Sequence, residues 1–208
     1  MGRHTGPACR LCRRAGEKLF LKGERCYTPR CPIERRRPAP GGRFSFRRRV
    51  SDRGIQLREK QKARQIYGVM ERQMRRYMEE AFKRPGVTGQ YLLELLERRL
   101  DNVVFRLGIA ESRNQARQLV LHGHVLVNQR KVDVPSYLVK AGDIISWKPS
   151  TKERDFFKEL VQDAPKRAVP SWLAFDAQAL EGKVLHPPEE GELESSFDTR
   201  PIVEYYSR

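Results

Sequence analysis

Between Arg99 and Val132 the chain reads RLDNVVFRLGIAESRNQARQLVLHGHVLVNQRKV, and this stretch constrains the fold more than any other. Leu100, Val103, Val104 and Leu107 recur at i, i+3, i+4 and i+7, the spacing that lines one face of a helix. Gly108 follows where a helix terminus turns left-handed. Ser112, with Gln115 three residues on, predicts a capping box that opens a second helix. Ala116, Leu119 and Val120 are its buried face, and Gly123 ends it. Val125 and Val127, the turn pair Asn128-Gln129 and a return through Lys131 and Val132 predict a β-hairpin, although Asn-Gln is a weaker turn signal than Asn-Gly.

The outward side of this unit carries the functional signal. With Ala116, Leu119 and Val120 facing the core, Arg113, Arg117 and Gln118 turn towards solvent, joined by His122, His124, Asn128, Arg130 and Lys131. Asp and Glu are absent from Ser112 to Val132. Ordinary surface faces mix both signs. One that offers only cations and neutral polar groups suits a phosphate backbone, with the amides of Asn114, Gln115 and Gln118 left to read bases or 2′-hydroxyls.

Charge elsewhere agrees. The 208 residues carry a formal net charge of +16, with pI ≈ 10.1. Residues 1–50 hold net +12, residues 51–150 net +8 and residues 151–208 net −4. A polyanion is therefore expected against the first three quarters of the chain, with the tail facing solvent or a basic protein. A membrane partner is not expected: there is no apolar run near the roughly 18 residues a spanning helix needs. Met1 to Leu11 has no apolar signal region, and Gly6 breaks the myristoylation pattern that Gly2 invites. Cytoplasmic localisation is the expectation.

All four cysteines, Cys9, Cys12, Cys26 and Cys31, sit near the amino terminus as C-x2-C-x13-C-x4-C. Two close thiolate pairs separated by a short loop suit tetrahedral Zn²⁺. Two disulfides or four buried thiols are the other readings, and disulfides need an oxidising compartment for which there is no signal. Four protein ligands leave no open position, so the zinc would be structural.

Arg35 to Arg49 reads RRRPAPGGRFSFRRR, too poor in apolar residues to fold alone. It reads as an arm that orders on RNA, with Arg35, Arg36, Arg37, Arg43, Arg47, Arg48 and Arg49 on phosphates and Phe44 and Phe46 available for stacking, or as a basic linker. Beyond it, Ser51 or Asp52 caps a helix with apolar Ile55, Leu57, Ile66 and Tyr67 and basic Arg58, Lys60, Lys62 and Arg64. A second helix spans Glu71 to Lys83, with Met74, Tyr77, Met78, Ala81 and Phe82 as core. Thr88 caps a third, carrying Tyr91, Leu92, Leu95 and Leu96. Tyr137–Val139 and Ile144–Trp147 read as short strands completing a small sheet with Val125–Val127. Lys152–Val161 reads as a short helix, Trp172–Val184 as irregular with one possible strand, His186–Ser196 as an exposed loop, and Ile202–Tyr206 as a closing strand or extended segment.

No catalytic constellation is present: the chain has no P-loop, GxGxxG, GxSxG or HExxH. Asp101, the most tempting lone carboxylate, reads as a helix-surface ion pair with Arg98. Asp133 and Asp143 read as turn residues. The function expected from the residues is RNA binding without catalysis, and no small-molecule substrate is expected. The alternatives are an RNA-modifying enzyme that uses the module for targeting, or an mRNA-binding regulator.

The chain resembles bacterial small-subunit ribosomal protein four in three ordered stretches: GRHTGPACRLCRRAGEKLFLKGERCYTPRC, SDRGIQLREKQKARQIYGVMERQ, and LLELLERRLDNVVFRLGIAESRNQARQLVLHGHVLVNQRKVDVPSYLVKAGDIISW. The terminal IVEYYSR is similar to that family's end. Pro40-Gly41-Gly42-Arg43-Phe44 departs from a Pro-Gly-Gln-His-Gly loop of many members, and Arg53 stands where Tyr often follows Ser-Asp. The resemblance implies an α+β, mostly helical fold: an amino-terminal zinc module and helical domain with an inserted small α+β RNA-binding domain. Its parts would be a zinc module and basic arm at 1–50, helices at 51–98 completed by 198–208, and an inserted domain at 99–197 with its core at 99–148. It implies binding to the 5′ domain of 16S rRNA early in assembly, a place beside the channel where mRNA enters with the third and fifth small-subunit proteins, and an influence on decoding accuracy. Cys9, Cys12, Cys26 and Cys31 match the ligands of the family's zinc-binding form.

Overall fold

The chain folds as the helices α1 (Cys9–Ala15), α2 (Asp52–Ile66), α3 (Glu71–Phe82), α4 (Thr88–Glu97), α5 (Leu100–Arg106), α6 (Arg113–Leu121), α7 (Pro149–Lys152), α8 (Asp155–Asp163) and α9 (Arg200–Tyr206). The strands are β1 (Val125–Val127), β2 (Arg130–Lys131), β3 (Ile144–Trp147), β4 (Leu173–Asp176) and β5 (Glu181–Val184). These come from a computed structural model that describes residues 4–41, 51–163, 168–189, 191 and 196–207. Two units result, one combining Met1–Leu92 with Glu194–Arg208, the other Leu93–Leu193.

In the first unit Ser51 caps α2, its Oγ accepting from the Gly54 N–H at 3.3 Å. The buried face of α2 is Gln56, Lys60, Ala63 and Ile66, while the apolar Ile55 and Leu57 are 45% and 40% exposed. Ala63 and Ile66 set that face, and the helical repeat carries Gln56 and Lys60 onto it. Each makes a bond there: Gln56 Nε2 donates to Glu204 at 2.9 Å, its Oε1 having no partner, and Lys60 Nζ donates to Glu71 at 3.0 Å. Glu204 lies on α9, so Ile202–Tyr206 is a helix and not the extended segment its β-branched and aromatic residues suggested. Pro201 starts it, and Ile202, Tyr205 and Tyr206 fall at i, i+3 and i+4. Gly89 permits a close approach at its start, since a Cβ there would lie 2.4 Å from Thr199 Oγ1. On α3, Met74, Tyr77, Met78 and Ala81 are core as expected, but Phe82 is exposed. Thr88 is the first residue of α4, with the Val87 carbonyl accepting from Tyr91.

The second unit is built on an antiparallel sheet of order β2-β1-β3-β5-β4. Val125, Val127, Ile145, Trp147, Leu173 and Val184 join Leu100, Val103, Val104 and Leu107 of α5 and Ala116, Leu119 and Val120 of α6 in one core. Gly182 is required: a Cβ there would meet Leu107 Cδ1 at 2.5 Å. Asn128 and Gln129 have φ of 49° and 64°, so the hairpin turn has two left-handed residues without a glycine.

Two expectations fail here and a third, the helix at Lys152–Val161, holds with other bounds. Tyr137–Val139 is not a strand. Its backbone bonds run to the α4–α5 junction, from Leu100 N to Tyr137 O at 2.8 Å and from Val139 N to Arg98 O at 2.9 Å. Trp172–Val184 holds two paired strands, because Leu173 and Val184 face each other across a hairpin and bury against the core. Lys152–Val161 is two helices, broken after Lys152 and restarted at Asp155, which buries Phe157.

Candidate nucleic-acid interface

Helices α5 and α6 position the cationic face through buried polar contacts. Ser112 Oγ accepts from the Gln115 N–H at 3.3 Å, while Gln115 Oε1 reaches back to the Glu111 N–H at 2.7 Å, one residue before the box expected. Gln115 is therefore a capping residue. Asp101 is 3% exposed and does not pair with Arg98, which bonds Glu94 at 2.7 Å. It holds Arg99 with both oxygens, at 3.0 and 2.7 Å, and Arg117 Nη1 at 3.0 Å. Beside it Glu97 grips Arg106 at 2.7 and 3.0 Å and accepts from Asn102 Nδ2 at 2.7 Å. Asn102 Oδ1 then takes Arg113 Nε at 2.8 Å, and that guanidinium lies over the Phe105 ring, 4.7 Å from its centre.

Arg113 and Arg117 are thus half-buried and engaged, not free in solvent. The sequence signal that points to Asp101 and Asn102 is their place on a short helix whose other faces are apolar. In so short an element, polar residues between core positions are buried with them. Two carboxylates hold three guanidinium groups here (Arg99, Arg106 and Arg117) and the Asn102 amide holds a fourth, Arg113, so these four cations outnumber the two acids and are fixed in orientation.

The hairpin is held the same way. Asn128 is a clamp: its Nδ2 donates to Asp143 at 2.8 Å and its Oδ1 accepts from the Ile144 N–H at 2.9 Å. Asp143 also takes the Lys140 N–H at 2.8 Å, which confirms it as a turn residue. Exposed around this frame are Asn114, Gln118, His122, Arg130 and Lys131, with Lys140 and Lys148 added by the fold. Gln118 and His122 bond each other at 3.1 Å, and Lys131 approaches Asp133 at 3.6 Å. His124 bonds Thr151 at 2.9 Å, and burial, then the charges of Arg154, His122 and Lys148, push its pKa down. The lowered value favours its neutral form, and the bond to Thr151 fixes its ring.

In the first unit Arg58 is exposed, but Lys60 is buried against Glu71 and Lys62 is bridged by Glu17 at 2.8 Å and Glu59 at 2.7 Å. Arg35, Arg36 and Arg37 are exposed, with Arg35 Nε donating to the Pro29 carbonyl at 3.2 Å. Arg43, Arg47, Arg48 and Arg49 lie outside the described residues, as do Phe44 and Phe46.

Cys9, Cys12, Cys26 and Cys31 are free thiols, three of them buried. Among the described residues no group of three or more His, Cys, Asp or Glu side chains is gathered to hold an ion. The donor chemistry nevertheless fits one. Four thiols are the soft donor set that Zn²⁺ takes, and burial pushes the Cys12 and Cys26 thiols up. The Lys22 N–H points at Cys26 Sγ, 3.4 Å away, a donor suited to a thiolate. No helix among the described residues is long and apolar enough to cross a membrane.

Residues 3–97 match the family described as ribosomal protein S4/S9 N-terminal domain, and residues 98–145 match the S4 domain. Small ribosomal subunit protein uS4 of Pelotomaculum thermopropionicum is 54% identical over 208 residues, the whole of both chains. The uS4A protein of Symbiobacterium thermophilum is 53% identical and the uS4 of Halothermothrix orenii 52%, again over the whole of both chains.

Proposed function

Because the chain belongs to the bacterial uS4 family of small ribosomal subunit proteins, a structural and non-enzymatic component, we propose that it holds 16S rRNA through the α6–hairpin surface and the exposed arginines of its amino-terminal part. The observation that carries this reading is the cluster in which Asp101 and Glu97 fix Arg99, Arg106 and Arg117, and Asn102 fixes Arg113, behind a segment free of acidic residues from Ser112 to Val132. Orientation paid for during folding is not paid again on binding. The exposed Arg130 and Lys131, with Asn114, Gln118 and His122, then meet phosphates and sugars, and specificity comes from RNA shape.

The resemblance to that family supports finer assignments within the same proposal. The protein binds the 5′ domain of 16S rRNA in cytoplasmic assembly of the subunit, sits beside the channel where mRNA enters, adjoins the third and fifth small-subunit proteins, and affects decoding accuracy through the fifth. Cys9, Cys12, Cys26 and Cys31 hold a structural Zn²⁺, supported by the spacing and by three buried thiols with no disulfide. When bound, the ion neutralises thiolate charge and cross-links the module.

Binding of the purified chain to a 16S rRNA 5′-domain transcript, in tRNA competitor and with or without a zinc chelator, tests both proposals. Selective, steeply salt-dependent binding is expected, with chelation lowering affinity and releasing about one zinc per chain. Equal binding to tRNA contradicts the rRNA assignment, and a chain isolated without zinc whose binding ignores chelator contradicts the metal.

A further inference from the structure

We propose that the rings of Phe20 and Tyr27 form a stacking platform for one unpaired RNA base, a contact that deepens the RNA-binding reading above and rests on it. The two ring centres are 5.2 Å apart and the planes 31° from parallel. Tyr27 is 74% exposed and Phe20 37%, although both belong to a small module that has few apolar residues to spare. Their exposure is imposed by their neighbours. Phe20 lies between buried Leu19 and Leu21, which anchor the chain on both sides and turn the Phe20 ring outward. Its φ is 49°, in the left-handed region that glycine or asparagine occupies at less cost. A bulky aromatic held there points to a use for the ring that backbone preference does not explain. Tyr27 follows buried Cys26, so its backbone is fixed while its ring is not covered.

The surroundings indicate the occupant. The turn that carries Tyr27 borders an open cleft of about 840 Å³ lined by Glu24, Arg25, Thr28, Pro29 and Arg30. Lys22, Arg25 and Arg30 are exposed, against the single carboxylate of Glu24. An exposed aromatic pair whose chain neighbours are exposed cations matches a nucleotide: the base stacks, and the phosphates on either side meet the cations. An apolar protein partner would leave those cations buried and unpaired.

Stacking makes no phosphate contact, and this separates the platform from the basic surface. Four full-length proteins, wild type, Tyr27→Leu, Tyr27→Phe and Phe20→Leu, are titrated with the 16S rRNA 5′-domain transcript and with an unstructured single-stranded RNA over a salt series. Tyr27→Leu and Phe20→Leu are expected to weaken binding by about 5- to 150-fold, the range for loss of one base stack, with an unchanged salt slope. Tyr27→Phe keeps the wild-type affinity. Ultraviolet crosslinking of the wild-type complex, read by mass spectrometry, is expected to place a nucleotide on Tyr27 or Phe20, and it needs no variant to fold. Loss only with the transcript assigns the base to rRNA, and loss only with the single strand assigns it to an mRNA-like ligand. Wild-type affinity in both leucine variants, or a crosslinked complex with no adduct on either ring, overturns the platform. A wild type that shows no preference for the transcript over tRNA overturns instead the reading on which it rests.

Discussion

Helix α2 and helix α6 carry similar basic residues, and the molecule uses them differently from the exposed arginines nearby. On α2, Lys60 and Lys62 are tied to Glu71, Glu17 and Glu59, and their task is to join α2 to its neighbours within the first unit. Lys60 also lies 4.1 Å from the centre of the Tyr205 ring, so it helps seat α9. On α6, Arg113 and Arg117 are tied too, but to partners that hold them near the surface with a net positive surplus. Arg35, Arg36, Arg37 and Arg130 are left exposed. A count of basic residues therefore overstates the number of cations that exchange counterions with RNA. Some build the fold, some are aimed, and only the rest are free to neutralise phosphate.

Replacing Asp101 by Asn tests the aimed class with the largest effect. It removes the charge that Arg99 and Arg117 share in a buried position, and a loss of about 3–5 kcal/mol is expected in urea unfolding. Arg117→Ala keeps the Arg99–Asp101 pair and is expected to cost about 1 kcal/mol in the same measurement, because Arg117 is partly exposed. Equal costs would mean that Arg117, not Arg99, is the main partner of Asp101.

The free class is tested by Arg130→Ala combined with Lys131→Ala. No change in melting temperature is expected, while the slope of log affinity against log salt falls by about 1.5–2. Lys60→Met sharpens the contrast, since it replaces a buried cation by an apolar chain of similar length. It is expected to change stability by less than about 1.5 kcal/mol and the salt slope not at all. A shallower slope in Lys60→Met would place that lysine on the RNA.

The smallest effect is a pH dependence at Glu71. Burial acts to raise its carboxyl, but hydrogen bonds from Tyr206 and Lys60 and the charges of Lys60 and Arg64 hold it below the usual value of 4.5. A depressed carboxyl stabilises the fold above the unfolded value, and the gain is lost as pH falls through the folded one. Glu71→Gln is expected to flatten the acid limb of melting temperature against pH below about 5. Tyr206, whose hydroxyl donates to Glu71 at 2.6 Å, is pushed up by burial and by that carboxylate. Its contribution is complete below the unfolded tyrosine value and is lost as pH rises through the folded one.

Periodicity was enough to read α5, α6 and the β1–β2 hairpin, because Leu100, Val103, Val104, Ala116, Leu119, Val120, Val125 and Val127 each face the core that their spacing demands. It failed where the partner lies far along the chain. Ile202–Tyr206 has the composition of a strand, yet its partners are Gln56 and Glu71, and packing on them selects a helix. Lys60 looked like a surface cation because nothing local shows that Glu71 and Tyr205 enclose it. The candidate site was legible as a charge pattern but not as a structure. Absence of acid from Ser112 to Val132 marked the face, while the carboxylates that aim it, Glu97 and Asp101, lie outside that window in sequence. Asn128 was expected on the outward polar face, and it is exposed there, but its bonds to Asp143 and Ile144, which hold the hairpin, were not legible.

The central claim, that exposed cations on an aimed frame bind the RNA, is tested most directly by the salt dependence of binding to the 16S rRNA 5′-domain transcript in tRNA competitor. Wild type is measured beside Arg130→Ala/Lys131→Ala. The account predicts selective binding by both proteins, with a steep slope for wild type and one shallower by about 1.5–2 for the variant at equal stability. Identical slopes, or binding no tighter than to tRNA, would contradict it.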